Sequence, residues 1–297
     1  MKIIIAGGSG FIGKELVSFF EQKNHEVIVL GRNKTSNPKI LTWDGKTVSE
    51  WKNYLKGTDV LINLTGKSVD CRYTEKNKRE IFDSRTNSIK VLEKAYENIG
   101  ESPKTWIQAS TATIYQDEYL SPNDEEDGII GEGFSVEVAK KWERTFNNVK
   151  LKSKKVTLRM TIVLGKKGGA FPVLKKMSKL GLGGKQGKGN QMVSWIHVRD
   201  LIQIVELAIE NQWVHGVINC VAPEPLTNKS FMRKLRKSIN QPIGIPTPSW
   251  LLKLGAPIIG TETELILKSR WIRSKKLDKF GYKFQFPTLN SALIHLK

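Results

Sequence analysis

A cluster of glycines near the start of the chain constrains its fold more than any other feature. The cluster, Gly7-Gly8-Ser9-Gly10-Phe11-Ile12-Gly13, follows an apolar run rich in β-branched residues, 2–6, and precedes a segment with apolar residues at helical spacing. A second apolar run, 26–30, comes after that segment. Short runs of this kind are typical of buried parallel strands. The order strand, glycine turn, helix, strand therefore predicts an α/β fold with a Rossmann-like, doubly wound parallel sheet.

The glycine turn has a chemical use in this context. Without side chains, it lets a pyrophosphate approach the backbone N–H groups at the start of the helix, where the helix dipole favours an anion. We therefore expect the turn to bind the phosphates of a dinucleotide. The alternative is a tight turn in an ordinary α/β domain, and the strand and helix on either side favour the first interpretation.

The residues after the second run indicate which dinucleotide is bound. Proteins of this fold that prefer NAD usually carry an acid near the end of strand two for the ribose 2′-OH. Residues 30–37 contain no acid, and Gly31 and Arg32 stand there instead. A guanidinium can grip a 2′-phosphate through two parallel hydrogen bonds. The sequence therefore predicts that the cofactor is NADP(H). The alternative is that Arg32 and Lys34 are only solvated charges in a surface loop.

A third apolar run, 59–66, ends in small and polar residues. Ligands of open parallel sheets bind beyond the carboxyl ends of the strands. We therefore expect Leu64, Thr65 and Gly66 to contact the cofactor.

The segment 75–98 reads as a long helix. Helical spacing puts Glu80, Ser84 and Arg85 close to one edge of this helix. An exposed ion pair between Glu80 and Arg85 is the ordinary explanation for such residues.

The run 105–109 is a further strand candidate, and Ser110-Thr111-Ala112-Thr113-Ile114-Tyr115 follows it. This segment resembles one in the extended short-chain dehydrogenase/reductase superfamily that carries a catalytic Ser or Thr. By that resemblance, Thr111 is the hydroxyl position, Ser110 is its neighbour, and Tyr115 is the aromatic residue that closes the motif.

The general base of that superfamily, a Tyr-x-x-x-Lys pair on the next helix, is missing. In the pair, a lysine one helical turn away lowers the pKa of the phenol, which can then act as acid or base. Within 134–143, Val136 stands four residues before Lys140, and Glu137 stands four before Lys141. A shifted register pairs Ser135 with Ala139, so no register restores the usual proton relay.

More specifically, the chain resembles the atypical branch labelled "epimerase family protein", which is related to nucleoside-diphosphate-sugar epimerases. The matching stretches span nearly the whole chain: 7–13, 62–66, 84–85, 141–143, 159–169, 181–184, 195–197 and 281–284. The resemblance implies NADP contacts from Ser9 to Ile12 and at Gly31, Arg32, Leu64, Thr65, Glu80, Arg85 and Val163. Thr65 departs from the alanine that is common in the family. The family itself lacks the Tyr–Lys pair, so its name is not evidence of epimerisation.

We expect the Rossmann core to comprise residues 1–165, completed by about 191–222. Residues 166–190 and 223–297 should form a smaller, mostly helical C-terminal substrate or lid domain. The glycine-rich segment 181–190 could close over a ligand with its lysines facing an anion, or could be only a flexible connection. His197 is expected to be structural.

The net charge of +19 permits a nucleic-acid surface, an anionic ligand or general solvation. Basic residues are dispersed rather than gathered on one helix with exposed aromatics, which favours solvation plus a phosphate-bearing ligand over nucleic acid. No apolar stretch approaches the roughly 20 residues of a membrane span and no signal peptide is visible. We therefore expect a cytoplasmic protein without a membrane partner. Cys71 and Cys220 are too isolated to indicate a disulfide or a metal site.

These observations predict an NADP(H)-binding oxidoreductase or epimerase-like enzyme that acts on a small molecule, with an anionic substrate compatible with the charge. Thr111, Ser110 or Tyr115 would position a carbonyl group. The alternative is a catalytically silent NADP-binding regulator, for example of cell division. The sequence leaves the substrate, the reaction direction, the oligomeric state and the presence of activity open.

Overall fold

Seven parallel strands form the central sheet of the computed structural model, which describes residues 1–33, 36–69, 71–252 and 264–297. In chain order they are β1 (Lys2–Ala6), β2 (Glu26–Gly31), β3 (Ile40–Thr42), β4 (Val60–Asn63), β5 (Thr105–Thr111), β6 (Lys154–Met160) and β10 (Gly216–Cys220). Across the sheet the order is β10-β6-β5-β4-β1-β2-β3. The strand order therefore reverses between β1 and β4, the position where open α/β sheets bind ligands.

Helices cover both faces of the sheet, so its strands are buried on both sides. On one face, α1 (Phe11–Gln22) and α5 (Val198–Glu210) pack against apolar residues such as Ile3, Ile62 and Val156. On the other face, α2 (Glu75–Ile99) and α3 (Phe134–Asn147) pack against residues such as Ile4, Leu61 and Trp106. This arrangement confirms the predicted Rossmann-like, doubly wound fold.

The rest of the chain forms small strand pairs and helices beside the sheet. The strands β7 (Ile162–Leu164) and β9 (Trp195–His197) pair in parallel, and β8 (Met192–Val193) pairs antiparallel with β11 (Leu226–Thr227). The helices are α4 (Ala170–Met177), α6 (Asn228–Ser238), α7 (Glu264–Leu267), α8 (Lys275–Lys279) and α9 (Leu289–Leu296). A separate apolar cluster that includes Phe171, Trp195, Phe231 and Leu293 lies among them. The domain limits given by the sequence stay a prediction.

The sequence also predicts a strand over 155–164 and a helix over 48–55, and the structure differs at both. The run 155–164, expected to be one strand, is divided at Thr161, whose N and Oγ1 both donate to Cys220 O. The expected helix 48–55 is a short 3₁₀ helix, Glu50–Leu55. The glycine-rich segment is tied to the chain around Thr247, since Gly187 N donates to Thr247 O at 2.8 Å and Thr247 N donates to Lys185 O at 2.9 Å.

Lys34, which the sequence analysis considers beside Arg32, lies outside the described residues. Within the described ranges, no helix is long and apolar enough to cross a membrane.

Candidate functional site

A cleft of about 590 Å³ opens at the carboxyl ends of β1, β2 and β4. Nine of the residues expected at the cofactor line it: Gly7, Ser9, Gly10, Gly31, Arg32, Leu64, Thr65, Gly66 and Glu80. A second group of residues also lines the cleft, although they were not expected at the cofactor: Leu30, Trp43, Asp44, Gly45, Lys46, Lys67, Asp83 and Ser84. The cleft therefore lies where the strand order reverses, as expected of a ligand site in this fold.

The glycine turn forms the floor of the cleft. Gly7 has a φ of +80°, and a Cβ there would lie 3.1 Å from both Leu64 C and Thr65 N. Gly10 is the N-cap of α1 and makes no side-chain capping bond, so the first N–H groups of this helix are left for a ligand. Gly8 and Gly13 serve packing instead, because a Cβ on Gly13 would lie 2.5 Å from Gly8 Cα.

Two cations line the cleft beyond the end of β2. One is Arg32, which follows the last residue of the strand, and the other is Lys46, in the turn after β3. Between them in the chain lies Asp44, whose Oδ1 accepts hydrogen bonds from Lys46 N at 2.8 Å and Thr47 N at 2.7 Å. The backbone N–H groups of Thr47 and Lys46 lower the pKa of Asp44. This carboxylate closes a turn, and positive side chains flank it.

The loop after β4 carries a polar group that has no hydrogen-bond partner among the described residues. Thr65 Oγ1 is buried and unpartnered there, although Thr65 N donates to Asn63 Oδ1 at 3.0 Å. A buried hydroxyl without a partner is costly, so it marks a place where a ligand or water is expected to bind.

The same loop is tied to α2 through Lys67. Lys67 N donates to Ser84 Oγ at 2.9 Å, and its ammonium group binds Asn77 and Glu80. Glu80 therefore pairs with Lys67 rather than with Arg85. The loop and the edge of α2 form one wall of the cleft.

Arg85 lies behind that wall. Its Nη1 donates to the carbonyls of Lys67 and Ile81, both at 3.0 Å, and its guanidinium stacks on Trp142 with 4.7 Å to the ring centre. A Cβ on Gly66 would lie 3.1 Å from the guanidinium carbon, so a larger residue here would require Arg85 to shift. Burial lowers the pKa of Arg85 to about 10, and its Nε has no hydrogen-bond partner in the described part of the chain. Its present contacts hold the loop, and its direct contact with a cofactor stays a prediction.

Two further residues expected at the cofactor, Phe11 on α1 and Val163 on β7, contact a second loop, which lies against the start of α1. A Cβ on Gly165 would lie 2.2 Å from Phe11 Cζ, and one on Gly168 would lie 2.4 Å from Phe11 Cγ. A Cβ on Gly169 would lie 2.2 Å from Val163 O. The loop between β7 and α4 therefore encloses the Phe11 ring, while Ile12 packs against the apolar core.

Two of the three hydroxyls expected to be catalytic belong to a buried network. Ser110 Oγ donates to Glu143 Oε1 at 2.6 Å. Tyr115 OH donates to Asn219 Oδ1 at 3.0 Å and accepts from Arg159 Nη1 at 2.8 Å. Burial raises the pKa of Tyr115, which keeps its phenol protonated. Both hydroxyls are engaged inside the protein, and their catalytic role stays a prediction.

Thr111 lies at the end of β5 and is half-buried. Its Oγ1 accepts from Thr113 N at 3.2 Å and lies 3.0 Å from Thr113 Oγ1. Of the three expected residues, it is the one with a partly accessible hydroxyl at the carboxyl edge of the sheet.

Lys46 and Lys67 could have been found with a topological argument. The carboxyl ends of all parallel strands meet at one edge, so residues after β3 and β4 belong to the same site as those after β1 and β2. The run 40–43 is too short for its sequence to identify β3 firmly, so the residues after it were not assigned to the site. The described residues contain no group of three or more His, Cys, Asp or Glu side chains that could hold a metal ion.

Comparison with known proteins gives a family for this architecture. A model described as the NAD dependent epimerase/dehydratase family matches residues 3–220, and a domain of unknown function, DUF1731, matches residues 247–296. The chain is 32% identical to the epimerase family protein YfhF of Bacillus subtilis, over 100% of this chain and 98% of that protein.

Two solved structures agree with this result. The crystal structure of human epimerase family protein SDR39U1 (isoform 2) with NADPH matches with a TM-score of 0.87 and 29% identity, covering 100% of this chain and 99% of that one. A nucleoside-diphosphate sugar epimerase from Corynebacterium glutamicum matches with a TM-score of 0.80 and 27% identity, covering 99% of this chain and 57% of that one. The chain therefore belongs to the NAD dependent epimerase/dehydratase family.

Proposed function

We propose that the protein binds NADP(H) in the cleft at the ends of β1, β2 and β4. The observation that carries this proposal is the pair of cations, Arg32 and Lys46, around the position where a 2′-phosphate would follow the adenosine ribose. A phosphate binds best to such cations, whereas a free 2′-OH calls for an acid. The human relative that was crystallised with NADPH is similar over the full chain, which supports the same cofactor here.

The other residues of the cleft fit this dinucleotide. The uncapped N-terminus of α1 suits the pyrophosphate, and the side chain of Gly10 is absent where the phosphates would approach. The unpartnered Thr65 Oγ1 offers a hydrogen bond to a ribose or amide group. The ion pair between Lys67 and Glu80 would position this wall of the cleft beside the second ribose of the dinucleotide.

We propose further that the protein is an oxidoreductase or epimerase-like enzyme on a small molecule. The bound cofactor would supply or accept a hydride. Thr111 would then hold the substrate oxygen by a hydrogen bond. The proton would come from water or from the substrate, because no register of the helix over 134–143 supplies the Tyr–Lys pair. The high positive charge is compatible with an anionic substrate.

The second candidate is a catalytically silent NADP-binding regulator. The engagement of Ser110 and Tyr115 in the buried network favours it, since little acid–base chemistry is left at the end of β5. A regulator would bind the cofactor tightly and change its interactions with a partner, without consuming the cofactor.

Titration followed by single-turnover kinetics tests both proposals. Calorimetry of the full chain with NADPH and with NADH should show binding and a preference for NADPH. Equal affinity for both would contradict the proposed role of the two cations, and no binding would contradict the site. The NADPH-loaded protein is then mixed with a panel of carbonyl compounds while absorbance of the reduced nicotinamide is followed. Oxidation that is slowed in Thr111→Val supports an enzyme, whereas tight binding without oxidation supports the regulator.

A further inference from the structure

An exposed apolar face is formed by residues of α4, of the turn that follows it and of the segment 243–245. We define this lobe face by Val173, Leu180, Leu182, Ile243 and Ile245, whose exposed fractions are 55%, 67%, 40%, 61% and 56%. Side chains of this kind are usually buried, and a contiguous group of them marks a surface that something else covers. We propose that the lobe face docks on the surface of an anionic phospholipid bilayer.

Backbone contacts bring the two segments of the lobe face together. Ile245 N donates to Gly181 O at 2.8 Å. A Cβ on Gly181, which has a φ of +82°, would lie 3.9 Å from Ile245 Cδ1. The side chain of Ile245 therefore lies over Gly181, between Leu180 and Leu182, and the three form one apolar surface.

Gly244 shows which way this segment faces. A Cβ on Gly244 would lie 2.4 Å from Nη1 of Arg236, so this position faces the protein. Ile243 and Ile245, on either side of Gly244, are exposed.

Three lysines lie in the same stretch of chain as Val173, Leu180 and Leu182. Lys176, Lys179 and Lys185 are exposed, and none of them forms an ion pair within the part of the chain that the structure describes. The sequence contains no acidic residue in 144–199 or in 225–261, whereas lysine and arginine recur in both stretches. The two stretches of chain that carry the lobe face are therefore positively charged.

This combination fits a bilayer. Leucine and isoleucine side chains can enter the boundary of the acyl chains, while lysine stems extend along the surface and place their ammonium groups among anionic headgroups. Trp250, which is 62% exposed, follows on the same segment and is a residue type enriched at membrane interfaces. A nucleic acid would use the lysines but has no use for exposed leucine and isoleucine. The expectation of no membrane partner rests on the lack of a membrane-spanning segment in the sequence. A protein that docks on the membrane surface needs no such segment.

Vesicle co-sedimentation of the full chain tests the proposal. We expect binding to vesicles of phosphatidylcholine with phosphatidylserine, little binding to phosphatidylcholine alone, and weakening with salt. The double variant Leu180→Ser/Ile245→Ser should lose most of the binding. The double variant Lys176→Gln/Lys179→Gln should weaken it by about fivefold for each lysine removed.

Matched controls lie elsewhere on the surface. Ile294 is 71% exposed on α9, and Lys90 and Lys94 are exposed on α2. Ile294→Ser and Lys90→Gln/Lys94→Gln should bind vesicles like the unmodified protein. Absence of binding, binding that the lobe-face variants retain, or equal losses in the controls would overturn the proposal. A change of oligomeric state in Leu180→Ser/Ile245→Ser, without vesicle binding by the unmodified protein, would identify a protein–protein interface instead.

Discussion

Arg159 and Glu143 form a two-bonded ion pair in the interior, with Nε to Oε1 at 2.9 Å and Nη2 to Oε2 at 2.7 Å. Glu143 is on α3 and Arg159 on β6, so the pair joins a helix to the sheet. The hydroxyls of Ser110 and Tyr115 complete the group. A buried charge whose partner is removed is left without compensation, which makes such pairs sensitive to single substitutions.

We therefore expect Glu143→Ala to lower the free energy of unfolding by about 3–5 kcal/mol. Urea denaturation of the apoprotein measures this directly. The exposed pair between Glu137 and Lys140 on the same helix is the control, and Glu137→Ala should cost at most about 0.5 kcal/mol. A loss in Glu143→Ala no larger than in the control would show that the network does not stabilise the core.

The sequence predicted the parts of the site that depend on neighbours in the chain. The glycine turn from Gly7 to Gly13 sits between a strand and a helix, and these local signals determine its conformation. Arg32 was found because its distance from the turn is fixed by one helix and one strand. Local order and topology were sufficient for these residues.

The sequence did not predict the parts that depend on distant partners. Ser110 and Tyr115 looked available for catalysis, and their partners Glu143, Arg159 and Asn219 lie on other elements, as far as 104 positions away for Asn219. Only the packed structure shows that these hydroxyls are engaged. For the same reason, the sequence could not place Arg85 behind the wall of the cleft.

Substitutions in the glycine turn can separate its role in folding from its role in binding the cofactor. Gly10 has φ −74° and ψ 175°, which any residue can adopt, and a Cβ there would contact only Gly7 O at 3.4 Å. Gly10→Ala should therefore fold normally, while its methyl group obstructs the phosphates. Hydrogen bonds to charged groups contribute about 1.5–3 kcal/mol each, so NADPH affinity should fall by about tenfold or more.

Gly13→Ala is the complementary variant. Its Cβ would meet the backbone of Gly8 at 2.5 Å, which should destabilise the fold by about 1–3 kcal/mol through displacement of the turn. Thermal denaturation and NADPH titration of both variants distinguish the roles. Unchanged NADPH affinity in Gly10→Ala would place the phosphates elsewhere.

Arg32 and Lys46 should contribute unequally to cofactor preference. Arg32 can form two parallel hydrogen bonds to a phosphate, so Arg32→Gln should weaken NADPH binding by about tenfold to a hundredfold. Lys46 acts as a single point charge, and Lys46→Gln should weaken it by about fivefold. NADH affinity should change little in either variant. Calorimetry with both dinucleotides measures the preference, and equal losses for NADPH and NADH would show that neither side chain recognises the 2′-phosphate.

Acid sensitivity should depend on His197, which is fully buried at the start of α5. Its Nδ1 accepts from Arg199 N at 3.0 Å, its Nε2 lies 3.1 Å from His295 Nδ1, and its ring stacks on Phe286. Burial, with the nearby charges of His295 and Arg199, lowers the pKa of His197 from 6.5 to about 3. In the unfolded chain the His197 side chain therefore binds a proton below about pH 6.5, whereas in the native protein it binds one only near pH 3.

It follows that this histidine costs no stability above pH 6.5 and progressively lowers the free energy of unfolding as the pH falls from 6.5 towards 3. His197→Asn keeps a side chain that can cap α5 but cannot take up the proton. We expect this variant to be less stable at neutral pH, because packing is lost, yet to show a shallower decline of stability on acidification. Urea denaturation at a series of pH values gives both slopes. Parallel slopes for the variant and the unmodified protein would show that carboxylates alone, and not His197, determine the acid limit of the fold.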